Sequence, residues 1–478
     1  MSDTLQTELP PAQAEAPPAP TSAAAPPALK PAPNMRELFR MWWPLAASWL
    51  LMSFEGPAIS AILARLAHPE ISLAAYGGLI LPLCFIIEAP IIMLLSASTA
   101  LSRDIQSYKL LRSFMHIVSG CLTLAHTVVA FTPIYYLVAE GLIGAPEQIV
   151  EPARVGLMLT VPWTWAIAYR RFNQGVLIRF GYSLSVGTGT VIRLSTELTI
   201  LGIAFAIGSI SGAAVAAATL TLGVVAEAVY AGFKVRPVIR QDLCKAPPTR
   251  HPLTTKAMLN FYIPLSLTSV LLFLGNPLVS AALSRMPEAI HSLAVWPVVG
   301  AISFIVRSFG VGFSEVVIAV IERPGAIFVL RRFGVLIAGL SLGVFLLLAA
   351  PPLQSLWYGT MVGLSPPLVA LMKRYLWLIA PLPLFAVAQS YFQGTILFSR
   401  RTRAITEAVI IFLVAAVAVL VAGVVRGTLV GLPVGLTALV AGEGLRTLWM
   451  WIRSRRIRRN LRAVEPEELG SDSPQPVL

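Results

Sequence analysis

The chain has 478 residues, of which 56% are hydrophobic and only 12% charged, with a net charge of +13 and a mean hydropathy of +0.76. A soluble domain carries about a quarter charged residues, so this composition excludes an ordinary soluble protein and indicates an integral membrane protein. Cys84, Cys121 and Cys244 form no CxxC pair, which excludes a disulfide framework or a cysteine metal cluster.

Residues 1–35 are read as a disordered cytoplasmic tail, because nine prolines and many alanines leave nothing to bury. The segment lacks the basic start and short apolar run of a signal peptide. Crossing roughly 30 Å of hydrocarbon takes about 20 apolar residues. Twelve runs meet that requirement: 38–63, 71–98, 113–137, 152–178, 181–207, 210–237, 257–284, 291–319, 329–350, 366–398, 402–425 and 428–452. The fold class expected is therefore an all-α polytopic membrane protein.

Basic residues alternate along these spans. Arg103, Lys109 and Arg112 follow span 2, and Arg170, Arg171 and Arg179 are assigned to the connection after span 4. Lys234, Arg236, Arg240, Lys245, Arg250 and Lys256 follow span 6, and Arg323, Arg331 and Arg332 follow span 8. Arg400, Arg401 and Arg403 follow span 10, and the last tail is arginine-rich. The opposite loops hold mainly Arg65, Arg154, Arg285 and Arg426. The positive-inside rule then places both termini in the cytoplasm, and the +13 charge belongs to loops rather than to a nucleic-acid surface. The location expected is a bacterial inner membrane.

The chain also repeats itself. Residues 44–76 align without a gap onto 264–296 at an offset of 220, with eleven identities in 33 positions, including Pro44/Pro264, Pro57/Pro277 and Arg65/Arg285. Farther on, Pro162 and Phe172-Asn173-Gln174-Gly175 align with Pro381 and Tyr391-Phe392-Gln393-Gly394 at an offset of 219, and Glu227 answers Glu443. Six spans per half keep both halves in one orientation, so the repeats are parallel, related by an axis along the membrane normal. The division expected is a first lobe over 36–240, a linker over 241–256, a second lobe over 257–456 and a disordered tail over 457–478.

The order of several short motifs carries a resemblance. They are Phe54-Glu55-Gly56 followed by Ala74-Ala75-Tyr76-Gly77, Asn276-Pro277-Leu278-Val279 through Leu283-Ser284-Arg285, Trp296-Pro297-Val298 and Gly442-Glu443. Together with the six-plus-six layout, the chain resembles the multidrug/oligosaccharidyl-lipid/polysaccharide (MOP) exporter superfamily over most of residues 36–460. That superfamily includes the multidrug and toxin extrusion (MATE) transporters and the lipid-linked flippases. Within it, the motifs are most similar to the progressive ankylosis transporter and its bacterial relatives. The resemblance implies two lobes in a V, alternating access, and in some members coupling to protons or sodium. It also implies an acidic site in the first span, for which Glu55 is the matching type. The progressive ankylosis likeness implies a small anionic solute.

Ionisable residues inside a bilayer are costly, so each is a functional candidate. Glu88 lies deep in span 2, and its repeat equivalent is Ser308, beside Arg307 in span 8. Across a central cleft, Glu88 and Arg307 would form either a charge-switch pair for proton and anion or an interlobe ion pair fixing one state. Glu55 precedes Pro57, which frees a backbone carbonyl one turn earlier and can gather oxygens around a proton or cation. Pro277 is the matching helix break in the second half. Glu315 either shares the cavity face with Arg307 or sits near the cytoplasmic mouth. Arg193 and Glu197, spaced i, i+4, read as a local structural ion pair. Glu227 and Glu443 read as helix locks. His116 and His126 are proton carriers or packing residues, and Gln174 and Gln393 line the cavity or pack beside their glycines.

No P-loop or HExxH motif occurs, and the nucleophile-elbow match at Gly339-Leu340-Ser341-Leu342-Gly343 falls inside an apolar span, where that turn is impossible. The reading is thus a non-enzymatic secondary transporter, without a cofactor or metal beyond a coupling ion (H+ or Na+), that exports a small anionic solute as a monomer in the bilayer. A flippase for a lipid-linked polar headgroup is the alternative. A membrane glycosyltransferase would need a large acidic external loop that is missing here.

Overall fold

The computed structural model describes residues 32–246, 252–399 and 403–469. The tail expected over residues 1–35 lies almost entirely outside the described residues. Every described element is a helix. Ten helices are long and apolar enough to cross a membrane. They are α1 (Met35–Leu63), α2 (Pro69–Glu88), α3 (Ile105–Phe131), α5 (Ser183–Ile207), α6 (Gly212–Leu243), α7 (Thr255–Ser284), α8 (Ala289–Val320), α9 (Ala326–Ala349), α10 (Pro366–Phe398) and α11 (Arg403–Arg426). Two more rods complete the order. α4 is formed by Glu147–Leu159 and Val161–Arg179, with arginines interrupting its apolar run, and α12 spans Gly431–Leu469. The helical rod of α12 thus includes 457–469, a stretch the sequence reading assigned to a disordered tail.

Polar caps start these helices where backbone N–H groups would otherwise lack partners. Asn34, Asp104 and Thr254 accept from Glu37, Ser107 and Ala257 at the starts of α1, α3 and α7. Pro69 and Pro366 occupy first turns, where no N–H is needed. Twelve alternating traverses bring the chain back to the end at which it began, here called the terminal end.

The repeat is visible in space. Gly175 of α4 lies so close to the segment Leu94–Leu101 that a Cβ would come 2.5 Å from the Leu95 carbonyl oxygen, and Gly394 of α10 lies as close to Ser314 and Val317 of α8. At the axis between halves, α2 crosses α8. A Cβ on Gly77 would come within 2.4 Å of Pro297, its own repeat equivalent.

The lobes are not cut where the sequence division places them. The first part of α1 packs on the second half: the Trp42 indole donates to the Phe309 carbonyl at 2.9 Å, and Trp42 meets Phe333 edge-on. The first part of α7 packs on the first half in the equivalent way, with the Tyr262 hydroxyl donating to the Pro90 carbonyl and its ring against Phe114. α1 and α7 are thus exchanged between halves at the terminal end.

Candidate functional site

Pro57 supplies no N–H to the Ser53 carbonyl, and α1 accordingly breaks at Phe54 into Met35–Ser53 and Glu55–Leu63. Glu55 sits at this break. α7 runs unbroken through Pro277, so the expected second helix break does not form; the rod tolerates both of its prolines. The Glu55 carboxylate takes the Arg193 guanidinium of α5 at 2.8 Å, while Glu197 and Glu227 each lie 3.7 Å from Arg193 Nε. Arg193 is therefore the hub of three acids on three helices, and the local pair with Glu197 is one of its two longer contacts.

Arg170 extends the network by pairing with Glu227, which also accepts from the Gln174 amide at 2.8 Å. Arg170 and Arg171 lie within α4 and not in a loop, so they drop out of the topology argument. A buried Glu227 requires a cation beside it, which is why a charged pair interrupts this span. Glu88 is buried at the end of the regular turns of α2, and one carboxylate oxygen has no hydrogen-bond partner. The charges of Arg171, Arg170 and Arg193 act on it, opposed by Glu55. The first half thus gathers Glu55, Glu88, Glu197 and Glu227 around Arg170, Arg171 and Arg193, one carboxylate more than the guanidinium groups.

The expected meeting of Glu88 and Arg307 does not occur. Arg307 pairs with Glu443 of α12 at 2.8 Å, and Glu88 makes no ion pair within the described residues. Position along the repeat set both residues at similar depth, but the reach of α12 decides the partner. Glu443 also accepts from Gln389 at 2.8 Å and lies 3.5 Å from Arg446. The second half thus has one guanidinium more than the carboxylates, and the Arg307 side chain is 28% exposed. Gln389 stands where α4 has Arg170, so the acid on the last helix of each half is anchored from the fourth. Sequence reasoning passed over Gln389 and Arg446, although the 219 offset placed Gln389 opposite Arg170.

The remaining candidates fall as follows. Ser308 is buried and donates to the Phe304 carbonyl at 2.7 Å and the Trp49 carbonyl at 3.3 Å, tying α8 to α1. Glu315 is exposed, five residues before the terminal-end limit of α8. His126 is saturated by Thr164 at 2.8 Å and the Leu157 carbonyl at 3.1 Å, as a packing histidine would be. Ser341 lies in α9 and donates to the Val306 carbonyl, consistent with a chance motif.

A cleft of about 560 Å³ opens between α1 and α5, with Glu55 and Glu197 as its only acids and Trp357, Met361 and Val362 of the second half along its edge. Apart from these two carboxylates its lining is nearly all apolar. The Glu55 side chain is 18% exposed there.

The end of the bundle away from the termini holds a feature the sequence reading did not anticipate. Wide π-helical turns, Leu137–Ile143 before α4 and Ser355–Met361 before α10, leave carbonyls pointing off their ends. Arg65, at the end of α1, donates to Thr360, Met361 and Val362 at 2.5, 2.7 and 2.9 Å. Arg285, its repeat equivalent, donates to Leu142 at 2.7 Å, to Ile143 and, at the limit of 3.5 Å, to Gly141. Each arginine reaches from one half to the matching three carbonyls of the other. Gly144 and Gly363 follow the turns with φ of 72° and 81°, letting the backbone fold back under the guanidinium groups. Glu70 of α2 adds a cross-half contact, accepting from Ser365 at 2.5 Å and lying 3.4 Å from His291.

No family model matches the sequence, and no curated protein matches it significantly. Solved structures do. A multidrug-resistance MATE transporter of the MOP superfamily in an inward-facing conformation superposes with a TM-score of 0.64 and 16% identity, over 88% of this chain and 99% of that one. The lipid II flippase MurJ in an inward closed conformation gives 0.61 and 13% over 91% and 94%. The eukaryotic MATE transporter AtDTX14 gives 0.60 and 13% over 89% and 99%. At these identities the likeness is one of architecture. The chain has the twelve-helix fold of the MATE-type transporters of the MOP superfamily.

Proposed function

We propose that this protein is a secondary active transporter that moves a small anionic solute outward by alternating access, driven by a proton or sodium gradient. The reciprocal arginine latch carries the reading. Two related halves are clasped at one end by side chain-to-carbonyl bonds that break without disturbing either half's own helices, as a gate requires. With the basic terminal end in the cytoplasm, the latch closes the outer face. The state is then inward-facing, in keeping with a TM-score of 0.64 for the inward-facing MATE transporter against 0.55 for an outward-facing one. The acid-rich network of the first half suits a coupling cation, with Glu88 and Glu55 as its carriers. The partly exposed Arg307 suits an anion. The progressive ankylosis likeness points to the same solute class.

The flippase reading keeps one observation in its favour. The apolar cleft at α1 and α5 would admit an acyl chain, and a lipid II flippase shares the fold. Proteoliposome flux of radiolabelled citrate and pyrophosphate, with and without an imposed pH gradient, separates the two. Gradient-driven flux abolished by Glu88→Gln and reduced by Arg307→Ala supports the exporter. Gradient-independent behaviour of both variants, together with headgroup translocation of a polyprenyl-pyrophosphate lipid, replaces it with the flippase.

A further inference from the structure

Glu443 of α12 is a single buried carboxylate shared by two guanidinium groups. Its Oε1 takes Arg307 of α8 at 2.8 Å. Its Oε2 accepts from the Gln389 amide of α10 at 2.8 Å and lies 3.5 Å from Arg446, on the next turn of α12. The two arginines are held unequally. Arg307 makes the close contact yet keeps 28% of its side chain exposed, whereas Arg446 is 14% exposed and stands at the limit of hydrogen bonding. The Arg446 Nε is buried and has no hydrogen-bond partner among the described residues.

Neither arginine has a charged counterpart in the first half. At the offset of 220, Arg307 answers Ile87; three residues beyond the Glu227–Glu443 pair, Arg446 answers Tyr230. Glu227 is instead anchored by Arg170, where the second half has the neutral Gln389. The second half has therefore placed its two cations on either side of one acid, the exposed one close and the buried one slack.

A buried carboxylate tolerates the loss of its cation only where another takes its place. An anion that draws Arg307 away would leave Glu443 with the Gln389 amide alone, unless Arg446 closes the remaining gap. Both residues are carried by α12 at the i, i+3 spacing that puts side chains side by side, so this needs no helix movement. The idle Nε completes the planar fork that grips a carboxylate through two N–H groups.

We propose that Arg446 is a positioning residue for the anionic solute: it takes over Glu443 as the solute takes Arg307. The proposal rests on the reading of Arg307 as the anion-binding group. Arg307 exchanges one anionic oxygen for another, and the buried acid is compensated before and after. Arg446 acts through Glu443 and does not touch the solute.

The test measures pyrophosphate and citrate binding by calorimetry on the full chain in detergent, with the thermal midpoint as the check of folding. Arg446→Gln should weaken binding about tenfold, the size of one hydrogen bond to a charged group, while Arg446→Lys stays closer to wild type. Glu443→Gln frees Arg307 and should strengthen binding, and adding Arg446→Gln in that background should change it by less than about twofold. Equal weakening by Arg446→Gln with and without Glu443 means that Arg446 attracts the solute directly, and overturns the proposal. Binding that is lost in Arg307→Ala but unchanged in Arg446→Gln overturns it and leaves the anion reading standing. Wild-type protein that binds neither anion, or binding untouched by Arg307→Ala, removes that reading and this proposal with it. Should Glu443→Gln fold poorly, the two substitutions at Arg446 decide, and equal affinity in both overturns the proposal.

Discussion

Replacing Arg65 and Arg285 by alanine should release the latch and move the protein toward a conformation open at that end. The magnitude follows from the geometry. Arg65 makes three bonds across the halves, to the carbonyls of residues 360, 361 and 362, besides one to Ala61 of its own helix. Most of these bonds are solvent-exposed, so each is taken at the low end of the net range, about 0.5 kcal/mol, or roughly 1.5 kcal/mol per arginine. That corresponds to about a tenfold shift in a two-state equilibrium. Arg285 reaches the matching turn of the other half, and the two latches share no partner, so their effects should add to about a hundredfold.

Spin labels report this directly. Gln148 and Ala370 are exposed on α4 and α10, just beyond the two turns, and a cysteine-free background makes them single labelling sites. Distance measurements by pulsed electron resonance should show one population in wild type and a second, longer one in the double variant. Arg65→Lys keeps the charge but loses the planar fork, so it should lie between Arg65→Ala and wild type. A double variant that folds normally yet gives the wild-type distance distribution would falsify the gating role.

Other outcomes follow from the same contacts. Arg193→Ala leaves Glu55, Glu197 and Glu227 without their shared cation and should destabilise the protein by about 3–5 kcal/mol, read as the detergent thermal midpoint; Arg193→Ala/Glu197→Gln should recover part of the loss. Gly175→Ala and Gly394→Ala press a methyl group onto backbone atoms of the neighbouring helix and should each cost about 1–3 kcal/mol, whereas Gly343→Ala, with open space around it, should be neutral in the same melting experiment.

The helices were legible because a bilayer demands long apolar runs, and the repeat was legible because equivalent positions of the two halves keep the same residue at one offset. Pro44/Pro264 and Arg65/Arg285 are such identities, although the prolines are exposed and the arginines lie at the end of the bundle. The function of the arginine pair was not legible. Its partners are backbone carbonyls at residues 141–143 and 360–362, and a carbonyl leaves no trace in residue type. The buried charges were found, but their partners were misassigned. Equal depth along a repeat says that Glu88 and Arg307 lie at one level, not that they touch; Glu443 on α12 is nearer to Arg307 than any acid of the other half within the described contacts. Arg170 and Arg171 were read as loop charges because a hydropathy argument treats every paired arginine as an end marker, although a buried acid can hold one within a span.

Latch and networks obey different symmetries, and that difference is itself testable. Arg65 and Arg285 are equivalent in residue, donor geometry and target, so the gate treats the two halves alike. The networks do not: the first half carries the extra carboxylate, and at the position of Glu88 the second half has Ser308, whose hydroxyl is satisfied by backbone carbonyls. Under the proposed transport reading, a coupling ion is then expected to act on the latch through the first half. Arg65→Ala and Arg285→Ala should lengthen the Gln148–Ala370 distance to the same extent. Glu88→Gln should shift the Gln148–Ala370 distance distribution, while Ser308→Ala should leave it at wild type. Equal shifts in both variants would show that the charge asymmetry does not act on the latch, because Ser308 carries no charge and only ties α8 to backbone carbonyls.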